Sequence, residues 1–189
     1  TYSWAVTAGD SVFASSTSTE VGNINLPVVN ETNADLVATI TVTPTYTNDG
    51  EPCTGPSEEF TITVSPTAQV EQVEDIVVCN GDEVAEIVFS TANENGTTIY
   101  SWTNDNTIIG LAASDTGDIT TFEADNDTND PIIANITVTP SYDAAEELSC
   151  PGDSITFTIT VNPTAQVDEP LDYEYCDGDT AEIDFTTSN

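Results

Sequence analysis

The chain is built from short runs of β-branched and aromatic residues that are separated by turn-forming residues. Six such runs follow one another in the middle of the chain, at 73–78, 84–90, 98–103, 119–122, 132–138 and 155–161. Turns such as Asn80-Gly81-Asp82 and Pro151-Gly152-Asp153 lie between them. Apolar and polar residues alternate in several runs, and no stretch of ten residues shows a convincing helical period. This pattern predicts an all-β fold of sandwich type.

The pattern occurs more than once along the chain. Tyr2-Ser3-Trp4 recurs as Tyr100-Ser101-Trp102, and Cys79 recurs as Cys176, 97 positions later. A period of this length matches an immunoglobulin-like sandwich, which has about 100 residues. We therefore predict tandem immunoglobulin-like β-sandwich repeats, with Trp4 and Trp102 in their cores.

The repeat divides the chain into three parts. Residues 1–65 form a partial repeat without its first two strands, 66–162 form a complete repeat, and 163–189 form the first two strands of a further one. One interpretation is a section of a longer array. The other is that residues 163–189 of one chain complete residues 1–65 of the next by strand addition. In both cases the absent strands come from a neighbour, because an incomplete sandwich exposes core and strand edges.

The charge of the chain excludes several functions. Lys, Arg and His are absent, and 34 acidic residues give a formal charge of −34. A chain without basic residues cannot neutralise phosphates, so we expect neither nucleic-acid binding nor attraction to anionic lipids. No apolar run approaches the roughly 20 residues that span a bilayer. A Ser or Cys nucleophile would lack its usual base, so we predict that the chain is not an enzyme.

Several motifs resemble a known family. Cys79-Asn80-Gly81-Asp82, Ile136-Thr137-Val138-Thr139-Pro140 and Thr158-Ile159-Thr160-Val161-Asn162-Pro163 look like the PKD-like repeats of Bacteroidota. Those repeats occur in giant cell-surface proteins that are described as adhesins or as gliding-motility-associated. The resemblance implies export by a type IX route, an extracellular location at the cell surface, and no catalytic residues.

The four cysteines recur with the repeat, which in an exported protein suggests disulfide bonds. Cys79 with Cys150 is the pairing within the complete repeat, and Cys53 and Cys176 would then pair with a neighbouring repeat or chain. Pairing of Cys53 with Cys79 is the alternative. Free thiols are the third arrangement.

Two kinds of modification or ligand site are expected. Asp125, Asp127 and Asp130 offer closely spaced oxygen ligands of the kind that Ca²⁺ prefers, although a plain polar loop also explains them. No other cofactor is expected. Ser11, Ser154 and Thr180 each follow an aspartate and precede an apolar residue, which resembles the O-glycan acceptor of Bacteroidota.

The sequence therefore predicts a structural stalk in an extracellular filament or adhesin, with adjacent repeats or copies of itself as partners. Proline at the junctions Ser65-Pro66 and Asn162-Pro163 restricts bending. The alternative function is a module that binds glycans or surfaces through the segments Ala5–Val21 and Asp105–Asp118.

Overall fold

The structure is a computed structural model that describes residues 1–9, 11–15, 19–144 and 148–188, and it divides into two compact units. The first unit contains Thr1–Glu71, Ser90–Ile99 and Thr139–Ser154, and the second contains Gln72–Phe89, Tyr100–Val138 and Ile155–Asn189. The first unit thus joins residues 1–65 with two segments of the following repeat. The repeat boundaries expected from the sequence stay a prediction.

The described residues form β-strands and one short 3₁₀ helix, which confirms the all-β prediction. The elements are β1 (Tyr2–Gly9), β2 (Thr19–Val21), β3 (Leu36–Asn48), β4 (Glu51–Thr54), β5 (Glu58–Val64), β6 (Ile76–Cys79), β7 (Glu83–Val84), β8 (Thr97–Asn104), the 3₁₀ helix (Thr107–Ile109), β9 (Ser114–Thr116), β10 (Phe122–Glu123), β11 (Ile132–Ala144), β12 (Leu148–Pro151) and β13 (Ile155–Asn162).

In the first unit, β3 lies between β1 and β5, and β2 pairs with the other edge of β1. All these pairs are antiparallel, with Trp4 opposite Val42 and Ile40 opposite Phe60. The inward side chains of β1 and β3 form a core with the segment that follows β1, where the Phe13 ring lies 5.7 Å from the ring of Trp4. Alternation along the strands therefore places one apolar face inward.

A bulge interrupts the pairing of β1 with β3 near the end of β1. The register shifts between Val6 and Ala8, and Gly9 follows with φ of 85°. A Cβ at Gly9 would lie 2.1 Å from the carbonyl oxygen of Val37, so this close approach of two backbones requires glycine.

In the second unit, β13 lies between β11 and β6. β6 runs parallel to β13, with Ile159 opposite Ile76 and Asn162 opposite Cys79. Ile136, Phe157, Ile159 and Val161 are buried on these strands, as are Trp102 on β8 and Phe89 beyond β7. Both tryptophans are buried, so the predicted core position of Trp4 and Trp102 is confirmed.

The strand bounds differ from the expected ones at two places. The run at 84–90 contributes only the end of β7 and an isolated bridge between Ile87 and Ile119. The run at 119–122 likewise contributes only Phe122 to β10 and the bridge residue Ile119. In both places the β-propensity of the segment is not sufficient. A strand forms only where a neighbouring strand supplies hydrogen-bond partners for its backbone.

Candidate functional site

A cluster of polar contacts in the first unit surrounds the linker that follows β5. The linker after β5 is fixed by Asn93, which accepts from the backbone N–H of Gln69 at 2.7 Å and donates to the carbonyl oxygen of Thr67 at 3.0 Å. The Gln69 side chain then donates to Oδ1 of Asn33, in the preceding repeat, at 2.8 Å. One amide side chain on each side therefore joins the linker to both repeats.

A second set of contacts closes the same junction. The backbone N–H of Glu94 donates to the carbonyl oxygen of Asn33 at 2.7 Å, and the Tyr142 hydroxyl donates to the carbonyl oxygen of Glu94 at 3.0 Å. Tyr142 is 1 % exposed. Burial raises the pKa of its hydroxyl, and the negative charge of Asp35 adds to that effect. The hydroxyl is thus held protonated as a donor.

The linker also lies against the turn after β12. A Cβ at Gly152 would lie 1.9 Å from the carbonyl oxygen of Ala68, and a Cβ at Gly96 would lie 2.2 Å from the Tyr142 ring. Two glycines therefore permit the close approach of the β11–β12 hairpin, the linker and the 90–99 segment.

The second unit contains the next junction, with the same contacts at equivalent positions. Gln166 Nε2 donates to Asn129 Oδ1 at 3.5 Å, as Gln69 does to Asn33. The backbone N–H of Asp168 donates to the carbonyl oxygen of Thr186 at 2.9 Å, and the Thr186 hydroxyl donates to the Asp168 carboxylate at 2.6 Å.

The equivalent pair at the first junction is Glu71 and Ser90. The backbone N–H of Glu71 donates to the Ser90 carbonyl oxygen at 2.9 Å, and the Ser90 hydroxyl donates to the Glu71 carboxylate at 2.7 Å. At both places an acidic residue and a hydroxyl-bearing residue thus make the same two bonds.

The loop that carries Asn129 is organised by a buried asparagine. Asn126 Nδ2 donates to the carbonyl oxygens of Asp130 and Val161 at 3.0 and 2.7 Å, and its Oδ1 accepts from the Thr128 backbone at 2.9 Å. In the first repeat Asn30 makes the same bonds to Ala34, Val64 and Thr32.

The calcium prediction falls on this loop. Among residues 1–9, 11–15, 19–144 and 148–188, no group of three His, Cys, Asp or Glu side chains is arranged to hold a metal ion. The structure therefore does not bring the carboxylates of Asp125, Asp127 and Asp130 together, because the Asn126 side chain bonds across the loop. Calcium binding stays a prediction that this geometry does not support.

The cysteine pairing expected from the sequence is not formed. Cys53, Cys79, Cys150 and Cys176 all carry free thiols. Cys79 lies opposite Asn162, which follows the residue that pairs with the start of β11, whereas Cys150 lies opposite Tyr142 near the end of β11. The bond between Cys79 and Cys150 is absent because the pairing registers place the two residues beside different ends of one strand. Pairing with a neighbouring chain stays a prediction.

The three expected glycosylation residues lie on exposed loops. Ser11 and Thr180 are exposed, and the Ser154 hydroxyl bonds to that of Thr139 at 2.7 Å. Asp10, which belongs to the motif at Ser11, lies outside the described residues. Glycan attachment stays a prediction.

One of the segments expected to bind a ligand, Ala5–Val21, contributes to a groove. A groove of about 500 Å³ on the first unit is lined mainly by hydroxyl-bearing and apolar side chains of β1, β2 and β3, namely Ser3, Trp4, Ala5, Thr7, Thr19, Glu20, Val21, Thr41 and Thr43. In the segment Asp105–Asp118, the Asp105 carboxylate accepts two 2.7 Å bonds from Asn135, and these bonds lower its pKa.

Sequence reasoning identified the repeat Pro-Thr-Ala-Gln-Val but not the role of its glutamine. The signal was present, because Gln69 and Gln166 recur together with Asn33 and Asn129. Tyr142 gave no such signal, since its counterpart Tyr46 follows a similar local sequence and is 71 % exposed.

Comparison with known proteins gives a distant likeness to a solved structure. No family model matches the chain, and no curated protein matches it. The chain is similar to the solved structure of human mucin-like protocadherin EC1-2, with 10% sequence identity and a TM-score of 0.32 over 86% of this chain and 84% of that chain. Within the part of the chain that the structure describes, no helix has the length and apolar character needed to cross a membrane.

Proposed function

We propose that this chain is a structural section of an extracellular bacterial surface filament or adhesin stalk, in which β-sandwich repeats follow one another in a fixed orientation. The observation that carries the proposal is the recurrence of one set of junction contacts. Gln69 with Asn33 and Gln166 with Asn129 join consecutive repeats in the same way.

A stalk needs junctions that resist bending. Each linker begins at a proline, Pro66 or Pro163, which fixes its own φ. At the first junction Asn93 bonds the linker backbone at Gln69, and Asn33 bonds the Gln69 side chain. Several bonds to one short linker restrict its motion more than any single bond, since each would have to break for the junction to bend.

The composition supports an exposed location. The chain has no Lys or Arg, so proteases that cut after basic residues find no site in it. The charge of −34 keeps neighbouring molecules apart and favours solubility. A structural element in an extracellular environment benefits from both properties.

Small-angle X-ray scattering of the dilute chain tests the stalk. We expect a rod-like distance distribution for the wild type, and a broader distribution for the double variant Asn33→Ala, Gln69→Ala. Asn23→Ala, which removes an exposed amide outside the junction, is the control and should scatter like the wild type. A globular wild type, or a double variant that scatters like the control, would overturn the proposal.

A second candidate function is supported by the groove of the first unit. Its volume of about 500 Å³ lies within the range of small-molecule sites. Hydroxyl groups in its lining, such as those of Ser3, Thr7 and Thr43, suit a carbohydrate. A glycan array separates the two functions. Selective binding of a glycan that Thr43→Val reduces would favour the binding module. An array that shows no selective binding would favour the structural stalk.

A further inference from the structure

Two Asn-Gly pairs of the chain lie in different surroundings. Asn80-Gly81 follows β6, and Asn95-Gly96 lies in the loop before β8. Asparagine before glycine is prone to deamidation, because a following residue without Cβ lets its backbone nitrogen reach the asparagine side chain. The residue pair is the same in both places, so any difference in reactivity between them comes from the fold.

At Asn80 the reacting groups are held by hydrogen bonds. The side-chain Nδ2 of Asn80 donates to Thr164 Oγ1 at 3.0 Å, and its Oδ1 accepts from the backbone N–H of Asn126 at 2.8 Å. The attacking nitrogen is bonded as well, since the backbone N–H of Gly81 donates to the carbonyl oxygen of Ala124 at 2.8 Å. The amide of Asn80 and the nitrogen of Gly81 therefore cannot meet unless these bonds break.

At Asn95 the same groups are not bonded. Both Asn95 and Gly96 are exposed, and within residues 1–9, 11–15, 19–144 and 148–188 neither the Asn95 amide nor the Gly96 N–H has a hydrogen-bond partner. Asn95 also has φ of 63°, in the left-handed region that is unfavourable for a residue with a Cβ. Rotation of Asn95 toward the Gly96 nitrogen therefore breaks no side-chain bond and relieves this strain.

We propose that Asn95 is a deamidation site and that the reaction loosens the first junction as the protein ages. The Gly96 nitrogen attacks Cγ of Asn95, the bond from Cγ to Nδ2 breaks, and ammonia leaves with the proton of the Gly96 N–H. The product is a succinimide ring, which water then opens. Cleavage of the bond from nitrogen to Cγ gives aspartate, and cleavage of the bond from nitrogen to the main-chain carbonyl carbon gives isoaspartate. Water is the one co-reactant.

Isoaspartate at this position changes the junction because its main chain is longer by one methylene group. The preceding residue, Glu94, accepts from the Tyr142 hydroxyl and donates to the carbonyl oxygen of Asn33. A Cβ at Gly96 would lie 2.2 Å from the Tyr142 ring, so the loop has no room for an additional group on that side. The longer chain must therefore displace Glu94 or Tyr142 and weaken their bonds. The effect on bending rests on the proposed stalk, whereas the reaction does not.

Peptide mapping by mass spectrometry of the chain after storage in mildly alkaline buffer tests the reaction. A protease that cuts after glutamate separates the two sites into peptides 75–83 and 95–123, and fragmentation localises the gain of about 1 Da. We expect Asn95 to react about tenfold faster than Asn80, because Asn80 must first break its hydrogen bonds. In urea the two sites should react at equal rates. Equal rates in the folded chain, or a faster reaction at Asn80, would overturn the proposal.

Two substitutions separate the chemistry from the protection. Asn95→Gln should abolish the mass gain at this position, because attack on the longer side chain requires a larger ring. Thr164→Val removes the acceptor of the Asn80 amide and should speed the reaction at Asn80 about threefold without changing that at Asn95. An Asn80 rate that Thr164→Val leaves unchanged would contradict protection by this bond.

Hydrogen exchange tests the effect on the junction. The backbone N–H of Glu94 should exchange faster in the aged wild type than in the fresh protein, and the aged Asn95→Gln variant should exchange like the fresh protein. Freshly prepared Asn95→Asp is the matched control, because it adds the negative charge without lengthening the main chain. Unchanged exchange in the deamidated chain would overturn the loosening. A chain that scatters as a rod but retains its Asn95 amide removes this inference and leaves the stalk.

Discussion

The Tyr142 hydroxyl donates a hydrogen bond to the carbonyl oxygen of Glu94, with 3.0 Å between the two oxygens. Glu94 in turn donates its backbone N–H to Asn33 of the preceding repeat. The β11–β12 hairpin is therefore connected to the previous repeat through one loop residue. This relay explains why Tyr142 is buried at a position where the first repeat leaves Tyr46 exposed.

Removing the hydroxyl should weaken this relay. We expect Tyr142→Phe to lower the free energy of unfolding by about 1 kcal/mol, because the Glu94 carbonyl oxygen loses its donor at a partly buried position. Urea denaturation followed by tryptophan fluorescence measures the change. Tyr46→Phe is the matched control and should be neutral, since Tyr46 is exposed. Equal stabilities of the two variants would show that the bond contributes nothing.

The close approach of Gly152 to the linker gives a second prediction. Gly152→Ala should destabilise the chain by about 1–3 kcal/mol, because the added Cβ would meet the Ala68 carbonyl oxygen and displace the linker. Hydrogen exchange should then rise at residues 66–71. At the counterpart Gly55 the nearest atom to an added Cβ is Pro44 Cγ, at 3.0 Å. Gly55→Ala should therefore cost less and leave exchange in the linker unchanged.

The buried side chain of Asn126 gives a third prediction. Asn126→Ala leaves the buried carbonyl oxygen of Val161 without its 2.7 Å donor, so we expect a loss of about 2–3 kcal/mol in the free energy of unfolding. The counterpart variant Asn30→Ala should cost less, because Asn30 is only partly buried. Thermal melts of both variants measure which of the two substitutions causes the larger loss of stability. The reverse order would contradict the role assigned to burial.

The pKa of Asp105 gives a pH-dependent prediction. The side-chain and backbone hydrogen bonds from Asn135 lower this pKa in the folded chain. The stability that Asp105 contributes is therefore present at pH values above its ordinary pKa of 3.8. That stability is lost as the pH falls through the lowered pKa of the folded chain. Asp105→Asn should be less stable than the wild type at pH 7 and equal to it at about pH 2. Asp127→Asn removes a charge without this contact and serves as the control. A difference that persists in acid would contradict the assignment.

Salt should stabilise the chain as a whole. With 34 acidic residues and no Lys, Arg or His, repulsion among carboxylates destabilises the compact state, and added ions screen it. The melting temperature should rise steadily with NaCl for the dilute chain. The same series with CaCl₂ at equal ionic strength tests the calcium prediction. Equal melting temperatures in the two salts would indicate screening alone, and a melting temperature independent of NaCl would contradict the argument.

The repeat and the strand class could be read from the sequence because both depend on local residue order. Alternation of apolar and polar residues defined the strands near 132–138 and 155–161, and the recurrence of Tyr-Ser-Trp defined the period and the core tryptophans. The free cysteines could not be read in this way. Their spacing suggested a bond, but pairing registers of β6 and β12 decide which residues lie close together.

Tyr46 and Tyr142 show what only the tertiary structure decided. The two residues follow Thr-Pro-Thr and Thr-Pro-Ser on equivalent strands, so local propensity treats them alike. Tyr46 is 71 % exposed and Tyr142 is 1 % exposed, because Tyr142 packs against a loop that is distant in sequence. Sequence by itself determined a repeating, acidic β-sandwich. Long-range packing determined which of two equivalent side chains is buried. The reason is that burial depends on contacts with parts of the chain that are distant in sequence, and not on the neighbouring residues in the sequence.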